Sequence, residues 1–276
     1  MDSVRTEALI MERLSASLRT TNIYGYCATS LIVESGEEIT DEIVPWTAHQ
    51  RERGRISQRK LNRLQDKQNV EVFPFNNFTI EEKLDLAIQM AEAVAEMHGF
   101  VGCVIVNDDI HPDQWLQVRT TTGRRLILND MNNAVFLDWS PKDEEYCYYE
   151  QSYGGDFHGP EEFVGGDVDE STDIWSVGNM IFVLLTGLWP YYNIPHARQE
   201  ELQKRAIAGE LPYINPAFAR QSLIEFRLVE VMKLCHKRDP KERISIFEVV
   251  KHLHQTKLLR EQELQATKPA AGNLSS

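Results

Sequence analysis

Two acidic segments have the residue types for catalysis. The first is Val106-Asn107-Asp108-Asp109-Ile110-His111-Pro112-Asp113-Gln114-Trp115-Leu116, a strand end that opens into an acidic loop and returns to apolar residues. The second, Leu126-Ile127-Leu128-Asn129-Asp130-Met131-Asn132, has the same form, and Asp130 lies 21 residues after Asp109. A carboxylate is a hard oxygen ligand for a divalent cation and can also accept a proton from a hydroxyl. Two of them at strand ends on facing loops would supply both functions. Acids at strand ends also form turns by bonding the local backbone, so the pair alone does not decide a function.

Those loops need a frame. Residues 4–15 predict a helix, with Ala8, Met11 and Leu14 on one face and charges between them. Ile23–Cys27 and Ser30–Glu34 predict two short strands around Ala28-Thr29. Thr79-Ile80-Glu81-Glu82 is a capping box, and Leu84, Ala87, Ala91, Val94 and His98 follow at helical spacing up to Gly99. Val101–Val106 and Leu126–Leu128 predict the strands that deliver the two acids, the second after a turn at Thr122-Gly123. Ile174–Leu185 is apolar enough for a buried helix, and residues 222–235 and 245–260 predict two more. The last residues, from about 266, are rich in Ala, Gly, Ser and Pro and are expected to be disordered. Strands early and helices late imply an α+β chain dominated by a helical domain.

Composition narrows the function classes. The chain has 276 residues, 42% hydrophobic and 26% charged, enough to bury a core without cross-links. Four widely spaced cysteines, with no C-x-x-C pair, argue against a disulfide framework or zinc site and suit a reducing compartment. There is no apolar run of the length a membrane helix needs, and the N-terminus lacks the continuous apolar core of a signal peptide, so a cytoplasmic location is expected. A net charge of −13 excludes a generally basic nucleic-acid binder. Residues 51–67 run against that trend, with seven basic and two acidic side chains. They are expected to be a solvated insertion or a docking patch for an acidic partner. Without interleaved aromatics, they are not expected to bind nucleic acid.

Further blocks give the acidic loops a context. Gly159-Pro160-Glu161 is followed by Asp173-Ile174-Trp175-Ser176-Val177-Gly178, then by Leu184-Leu185-Thr186-Gly187-Leu188-Trp189-Pro190-Tyr191 and by Asp239-Pro240-Lys241-Glu242-Arg243. In this order and spacing, residues of roughly 4–255 resemble a eukaryotic protein kinase, chiefly its C-terminal lobe. The resemblance implies an α+β kinase-like fold, with a partial N-terminal lobe over 1–34, a hinge and basic insertion over 35–78, a helical lobe over 79–262 and a tail over 263–276. It also implies ATP and Mg²⁺ as cofactors and a protein substrate.

Roles follow residue by residue. Asp109 resembles the aspartate that accepts the substrate hydroxyl's proton, and His111 occupies the place of the lysine that steadies the transferring phosphoryl group. Asp130 and Gln114 stand at the metal-binding positions. On the nucleotide side the resemblance implies Glu34, at the end of the second strand, together with Asp130 and Glu7, the last at the ion-pairing glutamate of the first helix. Glu161 resembles the glutamate that closes the activation segment, Arg243 its buried partner, and Asp173 the acid that accepts amides of the catalytic loop. Pro112 favours the serine/threonine branch.

Departures are equally visible. The usual His-Arg-Asp reads Asn107-Asp108-Asp109, and Asp-Phe-Gly reads Asp130-Met131-Asn132. Gln114 is one methylene longer than the usual asparagine, and octahedral Mg²⁺ tolerates displaced ligands poorly. Asp108 replaces an arginine that would grip a phosphorylated loop, and an acid there repels phosphate. No glycine-rich strand pair or strand lysine precedes the first helix. Impaired phosphoryl transfer to protein Ser/Thr is therefore the expectation, with a catalytically inactive pseudokinase scaffold as the alternative.

Overall fold

The computed structural model describes residues 2–45, 74–121, 123–150, 154–192 and 199–267. The basic stretch 51–67 and Thr122 lie outside them. The first helix, α1 (Asp2–Arg13), buries Ala8, Ile10 and Met11, and Leu14 closes its last turn by bonding Ile10 O. A hairpin of β1 (Ile23–Cys27) and β2 (Ser30–Val33) follows, turning through Ala28 in the left-handed region at φ 54°. Then come β3 (Glu37–Glu38) and the single turn α2 (Thr40–Ile43).

Helix α3 (Ile80–His98) starts where its capping chemistry puts it. The Glu82 amide donates to Thr79 Oγ1 at 3.2 Å, and the Thr79 amide donates to the Glu82 carboxylate at 2.8 Å. The strand expected from Val101 begins later, as β4 (Cys103–Val106). Gly102, at φ 99°, is still turning the chain, and Val101 is exposed.

Leu126–Leu128 proves to be the end of β6 (Gly123–Leu128), which pairs antiparallel with β5 (Trp115–Thr120), Trp115 opposite Leu128. Sequence alone does not mark β5, because the inward-facing Gln117 breaks its apolar alternation. β7 (Val135–Ser140) returns antiparallel to β4, Val106 opposite Val135, and carries β8 (Glu145–Tyr146) on its other edge. The first acidic loop thus runs from β4 to β5 and the second from β6 to β7, so both cross between the same two sheets. β9 (Tyr149–Glu150) pairs with β10 (Asp167–Val168), around the short α4 (Pro160–Phe163).

Helix α5 (Ser171–Thr186) is the spine of the core, buried from Thr172 to Thr186. It packs on α3 and on α7 (Leu223–Cys235). Gly178 permits that approach: a Cβ there would meet His236 at 2.7 Å and Cys235 at 2.9 Å. Gly187, left-handed at φ 69°, ends the helix where a side chain would strike the Asn76 amide. Lys83 of α3 reaches in to donate to Leu185 O at 2.9 Å, satisfying a carbonyl of the last turn. α6 (Gln199–Ile207) is mostly polar and buries only a narrow seam, Leu202 and Ala206, so its periodicity is faint in sequence. α8 (Ile246–Ala266) is capped by Ser245 and packs on α3. It passes both the expected helix end at 260 and the expected tail boundary at 263. Arg260 pairs with Glu81 and Glu263, and Thr267 caps Glu263 O, so the extra turn has its own partners.

All four cysteines are unbridged. Among the described residues, no helix is long and apolar enough to cross a membrane.

Candidate active site

Asp173, fully buried on α5, organises the first acidic loop. Its Oδ2 accepts the Asn107 amide at 3.0 Å and its Oδ1 the Asp108 amide at 2.9 Å. His98, at the end of α3, places Nε2 2.9 Å from the same Oδ2. Asn107 then ties the two loops together. Its Nδ2 donates to Asp130 O at 3.3 Å, and its Oδ1 accepts the Asp109 amide at 3.1 Å. Asp108 and Asp130 both take left-handed backbone, φ 63° and 61°, a conformation uncommon outside glycine and concentrated at functional sites.

Asp109 lies at the meeting point of the loops. Its Oδ2 accepts from Gln114 Nε2 at 3.0 Å and from Asn133 Nδ2 at 3.1 Å. Its Oδ1 is 3.4 Å from His111 Nε2. Burial pushes the Asp109 carboxyl above its usual range and the Asp130 charge adds to this, while His111, Gln114 and Asn133 work the other way. His111 Nδ1 accepts the Asp113 amide at 3.3 Å, while its Nε2 lies between Asp109 Oδ1 and Gln114 Nε2, 3.2 Å from the latter. Pro112 begins a tight turn that sets Gln114 at the head of β5, where Gln114 O accepts the Asn129 amide at 2.8 Å. Asn133 was not singled out from sequence. Its position three residues after Asp130 was the available signal.

The structure brings Glu7 to the second loop: its carboxylate accepts the Met131 amide. Burial, then the Asp130 charge, raises its pKa. Asp130 Oδ1 itself accepts the Asn132 amide at 3.2 Å. Glu34 is placed differently. Its carboxylate pairs with Arg125 of β6 and accepts Asn22 Nδ2 at 2.8 Å, so it is engaged by β6 and not by the loops of Asp109 and Asp130. Burial opposes ionisation there, but the bonds from Asn22 and Arg125 prevail and hold the carboxyl below its usual range. Among the described residues, no group of three or more His, Cys, Asp or Glu side chains is arranged to hold a metal.

Arg243 and Glu161 meet in a bidentate pair, at 2.6 and 2.7 Å, with the guanidinium 5.0 Å over the Trp175 ring. A second acidic cluster beside it escaped sequence reading. Glu162, fully buried on α4, accepts the Gly159 amide and lies 3.3 Å from His158 Nδ1. It also interacts with the Asp108 carboxyl, which lies beside the buried Tyr149. Burial, then the neighbouring Asp173, pushes Asp108 up to about 7, and burial with Asp108 pushes Glu162 well above a normal glutamate. In the tyrosine-rich stretch 144–150 the rings part company. Tyr146 packs edge-on against Trp139, Tyr148 is exposed, and Tyr149 turns in to Asp108.

Comparison with known proteins now bears on this arrangement. Residues 59–254 match the protein kinase domain family. The chain belongs to that family. This kinase domain is 26% identical over 179 residues to MAP kinase-activated protein kinase 2 of Drosophila melanogaster, covering 62% of the chain and 48% of that protein. It is 26% identical over 148 residues to calcium-dependent protein kinase 27 of Arabidopsis thaliana, covering 54% of the chain and 28% of that protein. A probable serine/threonine-protein kinase, roco5 of Dictyostelium discoideum, is 25% identical over 185 residues, 63% of the chain and 6% of that protein. The kinase domain described here therefore spans less than half the length of each of these relatives. Its small sheets and dominant helices are those of a kinase-like α+β fold.

Proposed function

We propose that this kinase domain transfers a phosphoryl group to serine or threonine hydroxyls of a protein, with Asp109 as the base. The observation that carries this reading is the meeting of Asp109 and Asp130 on two loops fastened by Asn107 and Asp173. Phosphoryl transfer asks a protein chiefly for positioning and charge neutralisation, and these loops supply positioned carboxylates. Kinase domains generally use ATP with Mg²⁺, which supplies the phosphoryl group and the neutralising charge.

The residues present fit that pair in part. Asp130 offers a carboxylate whose Oδ1 accepts a local amide, and Gln114 turns its nitrogen to Asp109 and His111, leaving its oxygen as the atom to serve a cation. Asp130 and Gln114 would hold the ion. Asp109 would accept the hydroxyl's proton as the hydroxyl oxygen bonds to the γ-phosphorus and the bond from that phosphorus to ADP breaks, ADP leaving with the bonding pair. His111, when protonated, adds positive charge at the same place. The serine/threonine class is supported by Pro112 and by the likeness to a probable serine/threonine-protein kinase, roco5.

A second reading, an inactive scaffold, is favoured by one contact: His111 Nε2 stands at the Asp109 oxygen that a substrate hydroxyl needs. The deciding experiment is transfer of labelled γ-phosphate from Mg-ATP to a basic protein, comparing the parent with Asp109→Asn. The expected result is a fall of about 100-fold or more, the usual contribution of a general base. Equal transfer by parent and variant supports the scaffold.

A further inference from the structure

Both amide side chains near Asp109 converge on a single oxygen. Gln114 Nε2 comes from the first loop and Asn133 Nδ2 from the second, at 3.0 and 3.1 Å from Oδ2. A carboxylate oxygen has about two lone-pair directions, so two donors use the capacity of Oδ2. Among the described residues, Oδ1 has the longer approach of His111 at 3.4 Å.

We propose that Asn133 and Gln114 form an amide clamp on Asp109 Oδ2 that presents Oδ1 to the substrate hydroxyl, so that Asn133 is a positioning residue for the transfer. This rests on the reading of Asp109 as the base.

The anchorage of Asn133 supports the role. The Ala134 amide donates to Met131 O at 3.1 Å, closing a turn that sets the Asn133 backbone directly before β7. The nitrogen of each amide faces the carboxylate, because a carboxylate can only accept. Asn133 also gives Asp109 a bond that spans the loops at side-chain level, parallel to the backbone tie made by Asn107. A base carboxylate with one oxygen held has one proton-accepting position, and geometry of that kind governs the rate of a positioned reaction.

The test reads the Asp109 carboxyl directly. In protein carrying ¹³C-labelled aspartate, the Asp109 resonance, assigned with Asp109→Asn, is compared at one fixed pH in the parent, Asn133→Ala and Asn133→Ser. Asn133→Ala should displace that resonance and lower kcat about 10-fold, with KM for Mg-ATP little changed. Serine, which keeps a donor, should return part of both effects. An Asp109 resonance unmoved in both variants overturns the clamp, whatever the activity. A displaced resonance, with phosphate transfer indifferent to Asp109→Asn, leaves the clamp standing and overturns the reading of Asp109 as the base.

Discussion

Arg243 grips Glu161 with both arms of its guanidinium across 82 residues of chain, and its remaining bonds go to the carbonyls of Lys237 and Ser171. The arginine side chain is 1% exposed and the glutamate 9%. This pair joins α4, the start of α5 and the segment before α8, so three distant parts of the helical lobe share one ion pair. Removing one partner of a buried pair strands the other charge, at about 3–5 kcal/mol. Arg243→Ala should lower the urea midpoint accordingly with the m-value unchanged, and equilibrium unfolding followed by tryptophan fluorescence measures it.

Asp173 predicts a local effect. Asp173→Ala leaves the buried amides of Asn107 and Asp108 without acceptors, at about 1–3 kcal/mol each. Hydrogen exchange at those two amides should quicken more than exchange in α5, because the first loop loosens before the helix does. Uniform quickening along α5 would show that Asp173 acts on the whole core instead.

The Asp108–Glu162 pair predicts an unusual pH dependence. Both carboxyls bind their protons more tightly in the folded chain than in the unfolded one, whose values lie near 4. Their contribution to stability is complete below that value; the Asp108 part is lost as pH rises through about 7, and the Glu162 part as pH rises through its own raised value. Tyr149, Asp109, Asp173, His158 and Glu161 face the pair, and none of them is a fixed cation that would cancel the trend. Glu162→Gln keeps the shape and removes one ionisation. Between pH 5 and 8, the melting temperature of the parent should fall relative to Glu162→Gln, as a differential scanning series would show. Parallel curves would mean that the two carboxyls do not share a buried proton.

His111 predicts a change in the activity profile. An unperturbed histidine loses its charge near pH 6.5, whereas lysine keeps it. If His111 assists the phosphoryl group as a cation, turnover of the parent should fall from about pH 6 to 8, and His111→Lys should flatten that fall. Identical profiles would leave His111 as a neighbour that only steadies the loop through Asp113.

Short-range chemistry was legible before folding. The Thr79 capping box and the apolar run of α5 depend on neighbours a few residues apart, so spacing alone reports them. The kinase motifs placed Glu161, Arg243 and Asp173 for the same reason: their residue types and order are set in the chain. What spacing does not encode is which side chains meet once the strands pair. β5 became a strand only opposite β6, since the buried Gln117 disguised its alternation. Asn133 acquired a partner because β4, β6 and β7 bring the two loops together. Glu34, read as a nucleotide-side residue, was captured by Arg125 across the neighbouring sheet. Asp108 and Glu162, 54 residues apart, became a buried acid pair because α4 folds over the first loop, and only burial gives such a pair its raised proton affinity.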